Sequence, residues 1–392
     1  MPPPRQPEGV TVTATTTAGH PPVLRFDSQP DGGPPPILCT SGHDYAFRPA
    51  GGPPMLVLRR RPDVLRVLTS TSNFGMAAVT RTGGLLGCPL TGAEMQSPDG
   101  GLLNMNPPRL RSYRQQIAGL FTRRAAEATR PLAQALARNL ADALHGRATA
   151  DALTGFAEPF TATAVSAAMG TPPADWDRIL EASRIAFAVV PGPDAIDDVA
   201  AAWDDLYGYY TRAAARPGGG LTTQLAGALA GHTAAQVAHV TGTVSNGFGS
   251  ILPVLAVAIA ELAQQPHVIA SCTRGERSWA SVAGELLSTR TMFPVALPRI
   301  ALADTWLGGR PIIKGTTVLP SLIAAAHDGP ASPGLPFGAG PHFCPGAALT
   351  RVWLSVTLEA FFGTFPRARL AGDLDWQAGT LSVPREITLV LR

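Results

Sequence analysis

Cysteines are scarce in this chain, and the four that it has, Cys39, Cys88, Cys272 and Cys344, lie far apart. No C-x-x-C pair occurs, and no pair of histidines lies near any of the four. Disulfide frameworks and zinc sites need several such ligands at short spacing. The sequence therefore predicts neither, and a cysteine with a chemical role has to act alone.

Long hydrophobic runs are also missing. The longest nearly uncharged apolar run, ILPVLAVAIA at residues 251–260, is too short to cross a bilayer. The N-terminus has no apolar core of the kind that a signal peptide carries. We therefore expect a cytoplasmic protein with no membrane partner.

The charge is small and scattered. A net charge of +3 over 392 residues argues against a nucleic-acid partner. With 45% hydrophobic residues the chain can bury a large core, which is typical of a folded enzyme. A small-molecule substrate is the better expectation.

Alanine and leucine recur at three- and four-residue spacing along most of the chain, which predicts helices. The helical segments are 107–146, 150–170, 175–190, 196–216, 233–264, 279–290 and 346–362. Strands are predicted in PVLRFD, in the first part of MLVLRRRPDVLRVLTS, in a hairpin around Gly308 and Gly309, and in the closing GTLSVPREITLVLR. No internal repeat of 20 to 50 residues occurs.

These segments predict a mainly α fold with small peripheral β-sheets. Residues 1–20, which are rich in proline, form a flexible lead-in, and residues 21–392 form a single domain.

The stretch PFGAGPHFCPG, residues 336–346, places Cys344 just before a predicted helix. The helix dipole and the free N–H groups of a helix start favour a thiolate over a thiol. Glycines at 338, 340 and 346 let the backbone turn sharply and lie against a flat cofactor. On these residues alone, a buried and inert cysteine in a proline- and glycine-rich loop is an equally good interpretation.

The order of the residues favours the cofactor. Residues 337–346 resemble the haem-binding signature of the cytochrome P450 family, F-G-x-G-x-H-x-C-x-G, at every specified position. This resemblance implies haem b as the cofactor and Cys344 as the thiolate ligand of its iron. It also implies that Phe337, Gly338, His342 and Gly346 contact the cofactor, with His342 at a propionate.

Two arginines match the same family. MNPPRLRSYRQQIAGLFT resembles the C helix, in which Arg114 matches the propionate-binding arginine and Leu110 replaces a histidine. PRIALADTWLGGRPIIKGTTV resembles the segment after the K helix, in which Arg299 matches a second propionate-binding arginine. Taken singly, each arginine is as well explained as a solvated surface charge.

The helix that crosses the distal haem face departs from the family pattern A-G-x-[D/E]-T. The corresponding residues are Asn246-Gly247-Phe248-Gly249-Ser250, so the hydroxyl is kept at Ser250 and the acid is replaced by Gly249. Asn246, Gly249 and Ser250 are the candidate catalytic positions, and a kink is expected here because two glycines and Pro253 weaken the helix. Segment 233–260 contains no Asp or Glu. A register shifted by a residue or two would make these packing positions.

The K helix departs as well, because its E-x-x-R pattern is incomplete. Glu285 is followed at i+3 by Ser288, and Arg290 at i+5 lies on another face of the helix. The segment GPASPGLP before Phe337 is much shorter than the family's meander, so the meander's arginine is missing too. We expect Glu285 to be exposed or to find a new donor.

Three functions follow from these residues. The first is a haem-thiolate enzyme of specialised metabolism that uses a pre-activated substrate or oxidant for cyclisation or group transfer, with little need to activate dioxygen. The second is a conventional monooxygenase that takes electrons from a ferredoxin and a ferredoxin reductase. The third is a non-catalytic helper that binds another biosynthetic enzyme. Candidate substrate contacts are Leu85, Leu86, Leu90, Phe187 and Phe248.

Overall fold

The computed structural model describes residues 14–15, 23–24, 45–47, 55–76, 102–103, 105–186, 196–215, 218–289, 295–329, 334–377 and 383–392. The helices are α1 Arg61–Thr69, α2 Arg109–Ile117, α3 Arg123–Ala128, α4 Arg130–Ala143, α5 Glu158–Met169, α6 Trp176–Ala186, α7 Ile196–Ala214, α8 Leu221–Ala228, α9 Ala234–Gly249, α10 Ile251–Leu262, α11 Pro266–Thr273, α12 Trp279–Thr289, α13 Leu322–Ala326 and α14 Ala347–Thr364. Shorter 3₁₀ turns span Ala118–Phe121, Pro173–Asp175 and Gly340–His342, and a π-helical turn spans Leu153–Ala157. The predicted mainly α class is confirmed.

The strands form small sheets beside the helices. They are β1 Ala14–Thr15, β2 Val23–Leu24, β3 Tyr45–Phe47, β4 Met55–Leu58, β5 Phe74–Met76, β6 Thr149–Asp151, β7 Arg299–Ala301, β8 Thr305–Leu307, β9 Arg310–Ile312, β10 Thr317–Pro320, β11 Arg369–Leu370, β12 Trp376–Gln377, β13 Val383–Pro384 and β14 Thr388–Val390. The largest sheet has the order β1-β2-β3-β4-β10-β7-β5, in which β10 is parallel to β4 and antiparallel to β7. The predicted hairpin around Gly308 and Gly309 is the antiparallel pair β8–β9.

Helix α14 lies at the centre of the core. It packs on α4, α12 and α3, and its side chains Trp353, Phe361 and Phe362 are almost completely buried. Phe361 meets Phe156 edge to face with 4.9 Å between ring centroids, which is a favourable aromatic arrangement. Because α14 begins three residues after Cys344, this packing fixes where the cysteine loop ends.

Two predicted helices are wrong in their extent, and a third is interrupted where a kink was expected. Segment 107–146 is divided into α2, a 3₁₀ turn, α3 and α4, with Thr122 capping α3 by accepting a hydrogen bond from the Ala125 N–H. Segment 150–170 begins as strand β6 and a π-helical turn. Segment 233–264 is interrupted at Ser250, between α9 and α10.

Within the described ranges, no single helix is long and apolar enough to cross a membrane. Helices α10 and α11 have the necessary length and composition only when taken together, and they are bent by 98° relative to each other. The cytoplasmic location and the domain boundary at residue 20 stay predictions.

Asp151 joins the start of the π-helical turn to the C-terminal strands. Its carboxylate accepts hydrogen bonds from the Leu153 N–H at 3.0 Å, the Thr154 hydroxyl at 2.6 Å and the Ile387 N–H at 2.8 Å. Burial alone would raise the pKa of this carboxyl, but the hydrogen bonds outweigh burial and hold the pKa below its ordinary value of 3.8.

Asp151→Asn is expected to lower the free energy of unfolding by about 1 kcal/mol at neutral pH, because the amide is a weaker acceptor than the half-exposed carboxylate. A lowered pKa stabilises the fold above the ordinary value and loses that stabilisation as the pH falls below about 3.8. Urea unfolding of wild type, of Asp151→Asn and of the exposed control Asp142→Asn is measured across this pH range. The free energies of unfolding of wild type and Asp151→Asn, plotted against pH, should converge in acid. Curves that diverge on acidification would contradict the prediction.

Candidate functional site

The loop before α14 turns at two glycines with positive φ. Gly338 has φ +69° and Gly340 has φ +71°, a region that favours glycine. The Gly338 N–H donates to the Leu335 carbonyl, and the Cys344 N–H donates to the Phe337 carbonyl, both at 3.0 Å. These bonds fold residues 335–344 into a compact turn that presents Cys344 at the start of α14.

Gly340 is required for a second reason, because its backbone lies against helix α1. A Cβ at this position would lie 2.2 Å from the Leu68 carbonyl oxygen, which real contacts do not allow. A Cβ at Gly338 would meet no protein atom within 4 Å. The two glycines therefore share a strained φ, but only Gly340 holds the loop against another element.

The Cys344 thiol is only partly exposed, and its surroundings shift its pKa in opposite directions. Burial raises its pKa, while the N–H groups of Gly346 and Ala347 and the charges of Arg114 and Arg351 lower it. The net shift is upward. The N–H groups at the helix start do favour the thiolate, as expected, but burial outweighs them in the protein alone.

Arg351 was not singled out from the sequence. It lies four residues after Ala347, so α14 brings its guanidinium back over the start of the helix, where Nη1 donates to the Ala347 carbonyl at 3.1 Å. The same guanidinium lies 4.5 Å from the centroid of the Phe337 ring. The i+4 spacing from the helix start was the available signal.

The structure brings Arg114 on α2, Arg299 on β7 and His342 in the loop close together. Burial and, after it, the positive charges of Arg299 and Arg114 lower the pKa of His342 to about 3. Burial also lowers the pKa of Arg299 to about 10; its side chain is 4% exposed, and among the described residues its Nη1 donates to the Leu297 and Pro298 carbonyls. His342 is therefore neutral beside the buried Arg299 and the half-buried Arg114.

Neither arginine has a carboxylate partner in the described part of the chain. The Arg114 Nε is buried without a hydrogen-bond partner among the described residues, and burial lowers the pKa of this guanidinium. Leu110, which replaces the family's histidine, is completely buried one turn before Arg114. A buried, unpaired guanidinium is costly and needs an anion.

The distal helix breaks where the kink was predicted. Helix α9 ends at Gly249, Ser250 has φ −73° and ψ −9°, and α10 begins at Ile251. The side chains of Asn246 and Phe248 lie outside the described residues, as do Leu85, Leu86, Leu90 and Phe187. These positions stay predictions.

Glu285 has found a new partner, as expected. It is exposed, and Oε1 lies 2.5 Å from the Arg277 Nη2 and 3.3 Å from the Ser281 hydroxyl. The short connection before the cysteine loop lies directly on the end of α12, since a Cβ at Gly334 would lie 2.0 Å from the Ser288 carbonyl oxygen. The family's glutamate–arginine network is therefore replaced by a local surface pair.

Known proteins are similar to this chain in sequence and in fold. Cytochrome P450-SU2 of Streptomyces griseolus is 28% identical over 300 residues, which cover 71% of this chain and 73% of that protein. The crystal structure of SgvP, to which a thioether synthase role in the tailoring of griseoviridin is ascribed, is 26% identical with a TM-score of 0.81, covering 95% of this chain and all of SgvP. The relatives and the structural neighbours are P450s, so the resemblance of this chain to the cytochrome P450 family is supported by both sequence and fold.

A second solved structure, HinD with NMFT and NO, is 25% identical with a TM-score of 0.80 and covers 96% of this chain and all of HinD. No protein-family model matches the chain. The similarity to cytochromes P450 supports a haem-thiolate oxidoreductase with haem b as its cofactor. The site fits that cofactor, because it offers a partly exposed thiol and two guanidiniums, one buried and one half-buried, that lack an anion among the described residues.

Gly340→Ala is expected to lower the free energy of unfolding by about 3 kcal/mol, since it adds both a strained φ and a clash with the Leu68 carbonyl. Gly338→Ala is the matched control, because it adds the strain without the clash and should cost about 1 kcal/mol. Urea unfolding of both variants measures the difference. Equal losses would show that contact with α1 does not hold the loop.

Proposed function

We propose that this P450 acts on a small organic molecule in specialised metabolism and that its substrate or oxidant arrives already activated, for cyclisation or group transfer. The observation that carries this proposal is Gly249, which stands where the family has an acid, in a distal segment, 233–260, without any Asp or Glu. Glycine has no side chain that could hold a proton. An enzyme that gives up this acid depends less on delivering protons to dioxygen.

In this proposal, Cys344 is the iron ligand and Phe337, Gly338 and Gly346 lie against the macrocycle. Arg114 and Arg299 bind the propionates, because these carboxylates are the anions that the half-buried and the buried guanidinium lack among the described residues. Neutral His342 contacts a propionate as a hydrogen-bonding group and not as a cation. When bound, haem b with its thiolate ligand supplies an oxidising iron centre.

The relatives support an unusual reaction. The name given to SgvP is that of an enzyme that forms a carbon–sulfur link, and HinD was crystallised with NO. Both cover nearly the whole of this chain at similar identity. Neither identifies the substrate of this protein.

The alternative is a conventional monooxygenase that uses dioxygen and electrons from a ferredoxin and its reductase. The hydroxyl kept at Ser250 and the complete cysteine signature favour it. The helper function is the weakest, because a protein that only binds another enzyme has no use for Cys344 or for two costly buried arginines.

Arg299→Met is expected to act in opposite directions on two properties. In haem-free protein the variant should be at least as stable as wild type, because it removes an unpaired buried charge. In loaded protein it should release haem at least about tenfold faster, because a propionate loses its buried partner. Urea unfolding and haem transfer to an acceptor protein measure the two properties, with the exposed Arg369→Met as control.

Faster haem release from Arg369→Met would mean that the loss of any positive charge is sufficient to speed haem release. Unchanged release from Arg299→Met would remove Arg299 from the propionate site.

Dioxygen use tests the proposed function directly. Wild type supplied with a surrogate ferredoxin, its reductase and NADPH should reduce dioxygen slowly, and Gly249→Asp should raise that rate about tenfold by restoring a proton donor. Gly363→Asp, on the exposed face of α14, is the matched control. A wild-type rate equal to that of Gly249→Asp would favour the conventional monooxygenase.

The haem-thiolate assignment is checked first, by the spectrum of the reduced protein under carbon monoxide. A red-shifted Soret band should appear in wild type and be lost in Cys344→Ser. Its absence from wild type would reject the assignment.

A further inference from the structure

Strand β5 is the last strand of the largest sheet, and one of its N–H groups is bonded to a side chain from outside the sheet. The Met76 N–H donates to the Asn106 Oδ1 at 2.7 Å, and Asn106 lies just before α2. A strand at the edge of a sheet has backbone groups without a neighbouring strand. Asn106 therefore supplies the partner that β5 lacks at Met76.

The carboxamide of Asn106 comes close to β5 because the strand has a glycine there. A Cβ at Gly75 would lie 3.2 Å from the Asn106 Oδ1 and 3.2 Å from the Leu302 Cδ2. Contacts this short are tighter than most that real side chains make. The lack of a side chain at Gly75 lets the carboxamide reach the backbone of β5.

Met76 lies directly opposite Arg299 in this sheet. Strands β5 and β7 are antiparallel, and their register pairs Met76 with Arg299. Residues paired in this way have Cα atoms about 4.5 to 5.5 Å apart. The Arg299 guanidinium is held close to its own strand, because its Nη1 donates to the carbonyls of the two preceding residues at 2.7 and 3.3 Å. The bond between Met76 and Asn106 thus connects α2 to the strand pair that carries Arg299.

The backbone of Asn106 leads to Arg114. The Asn106 carbonyl accepts a hydrogen bond from the Leu110 N–H at 3.2 Å, which is the i+4 bond at the start of α2. Residues 106, 110 and 114 follow at four-residue spacing, so Arg114 lies about two turns beyond Asn106. Because a helix is rigid over two turns, the start of α2 determines where Arg114 lies.

The residue before Asn106 contacts the cysteine loop. Met105 is 5% exposed. Burial lowers the pKa of His342, and a hydrogen bond with the Met105 backbone opposes that lowering. Residues 105 and 106 therefore lie where the cysteine loop, α2 and β5 meet.

We propose that Asn106 is a positioning residue, which fixes the separation of Arg114 and Arg299 so that both guanidiniums meet the propionates of one haem. Its side chain holds β5, which is paired with the strand of Arg299. Its carbonyl begins the helix of Arg114. This inference rests on the proposed haem-thiolate function, in which the two arginines bind the propionates.

Two arginines on separate elements need such a link. The propionates have a fixed spacing on a rigid macrocycle, and the guanidinium fork has a fixed hydrogen-bond geometry, so a displaced arginine loses part of its bonding. In this link the side chain of Asn106 acts only as an acceptor, and a carboxylate in the same place could accept the same N–H. Because Asn106 is exposed, losing this bond should change position more than overall stability.

The test measures haem transfer from loaded protein to an acceptor protein of higher haem affinity. Asn106→Ala should release haem about fivefold faster than wild type, because the two arginines lose their link. Asn106→Asp should stay within about twofold of wild type, because its carboxylate still accepts from the Met76 N–H.

Thr122→Ala is the matched control for this test. Thr122 is also exposed, and its hydroxyl likewise accepts one backbone N–H bond, from Ala125 at 3.1 Å. The change removes that bond without altering the charge, on a helix that carries neither arginine. It should leave haem release unchanged.

Two further measurements separate positioning from a general loss of stability. In an Arg114→Met/Arg299→Met background, Asn106→Ala should change haem release by less than about twofold, because the groups that it positions are absent. If that background does not keep haem, Arg299→Met alone takes its place, and the effect of Asn106→Ala should still be smaller than in wild type. The resonance Raman bands of the propionate bending modes should shift in Asn106→Ala and stay unchanged in Thr122→Ala.

Four results would each overturn the role of Asn106. They are an Asn106→Ala rate equal to that of wild type, an equal increase from Thr122→Ala, an Asn106→Asp rate as fast as that of Asn106→Ala, and an undiminished effect of Asn106→Ala without the arginines. If wild type has the red-shifted carbon monoxide band, such a result rejects this role and leaves the proposed function intact. If wild type lacks the band, the proposed function itself is rejected.

Discussion

The interaction on which the site depends is the burial of the Arg299 guanidinium and the partial burial of that of Arg114 beside a neutral imidazole, with no carboxylate to compensate them in the described part of the chain. Arg114 and Arg299 come from a helix and a strand that are far apart in sequence, and His342 comes from the cysteine loop. Because an unpaired buried cation costs several kcal/mol, the haem-free protein carries a penalty exactly where its cofactor supplies negative charge. Cofactor binding and fold stability are therefore coupled, and the haem-free chain is the strained form.

The cysteine loop is built on rigid supports. Gly340 lies against the end of α1, and α14 is anchored by Trp353, Phe361 and Phe362 in the core. Burial raises the pKa of the thiol, and nearby N–H groups and arginines lower it. Such a thiol stays protonated in the protein alone and is ready to bind metal when a strong positive centre displaces the proton.

Local signals in the sequence were enough for the fold class and for the elements around the cysteine. Helices α7, α12 and α14 follow their alanine and leucine periodicity, and the β8–β9 hairpin follows its Gly308-Gly309 turn. The break of the distal helix at Ser250 was also predictable, since glycine and proline weaken helices locally. The division of segment 107–146 was not predictable, because each piece has good helical periodicity; in the structure Thr122 caps α3, and α4 packs on α14.

The candidate site was predicted only at the positions that match the family's motifs. Arg114, Arg299 and His342 meet in space although no spacing rule connects them, so without the motif their association was out of reach. The net direction of the Cys344 shift depended on burial, which a helix-start rule does not contain.

The close approach of Gly334 to the Ser288 carbonyl limits what the end of α12 can accommodate. A Cβ at Gly334 would lie 2.0 Å from that carbonyl oxygen, so the connecting segment leaves no room for a side chain there. Glu285, one turn earlier in α12, is already paired with Arg277. Restoring an arginine at residue 288 alone would therefore bring a second cation to a glutamate that has a partner.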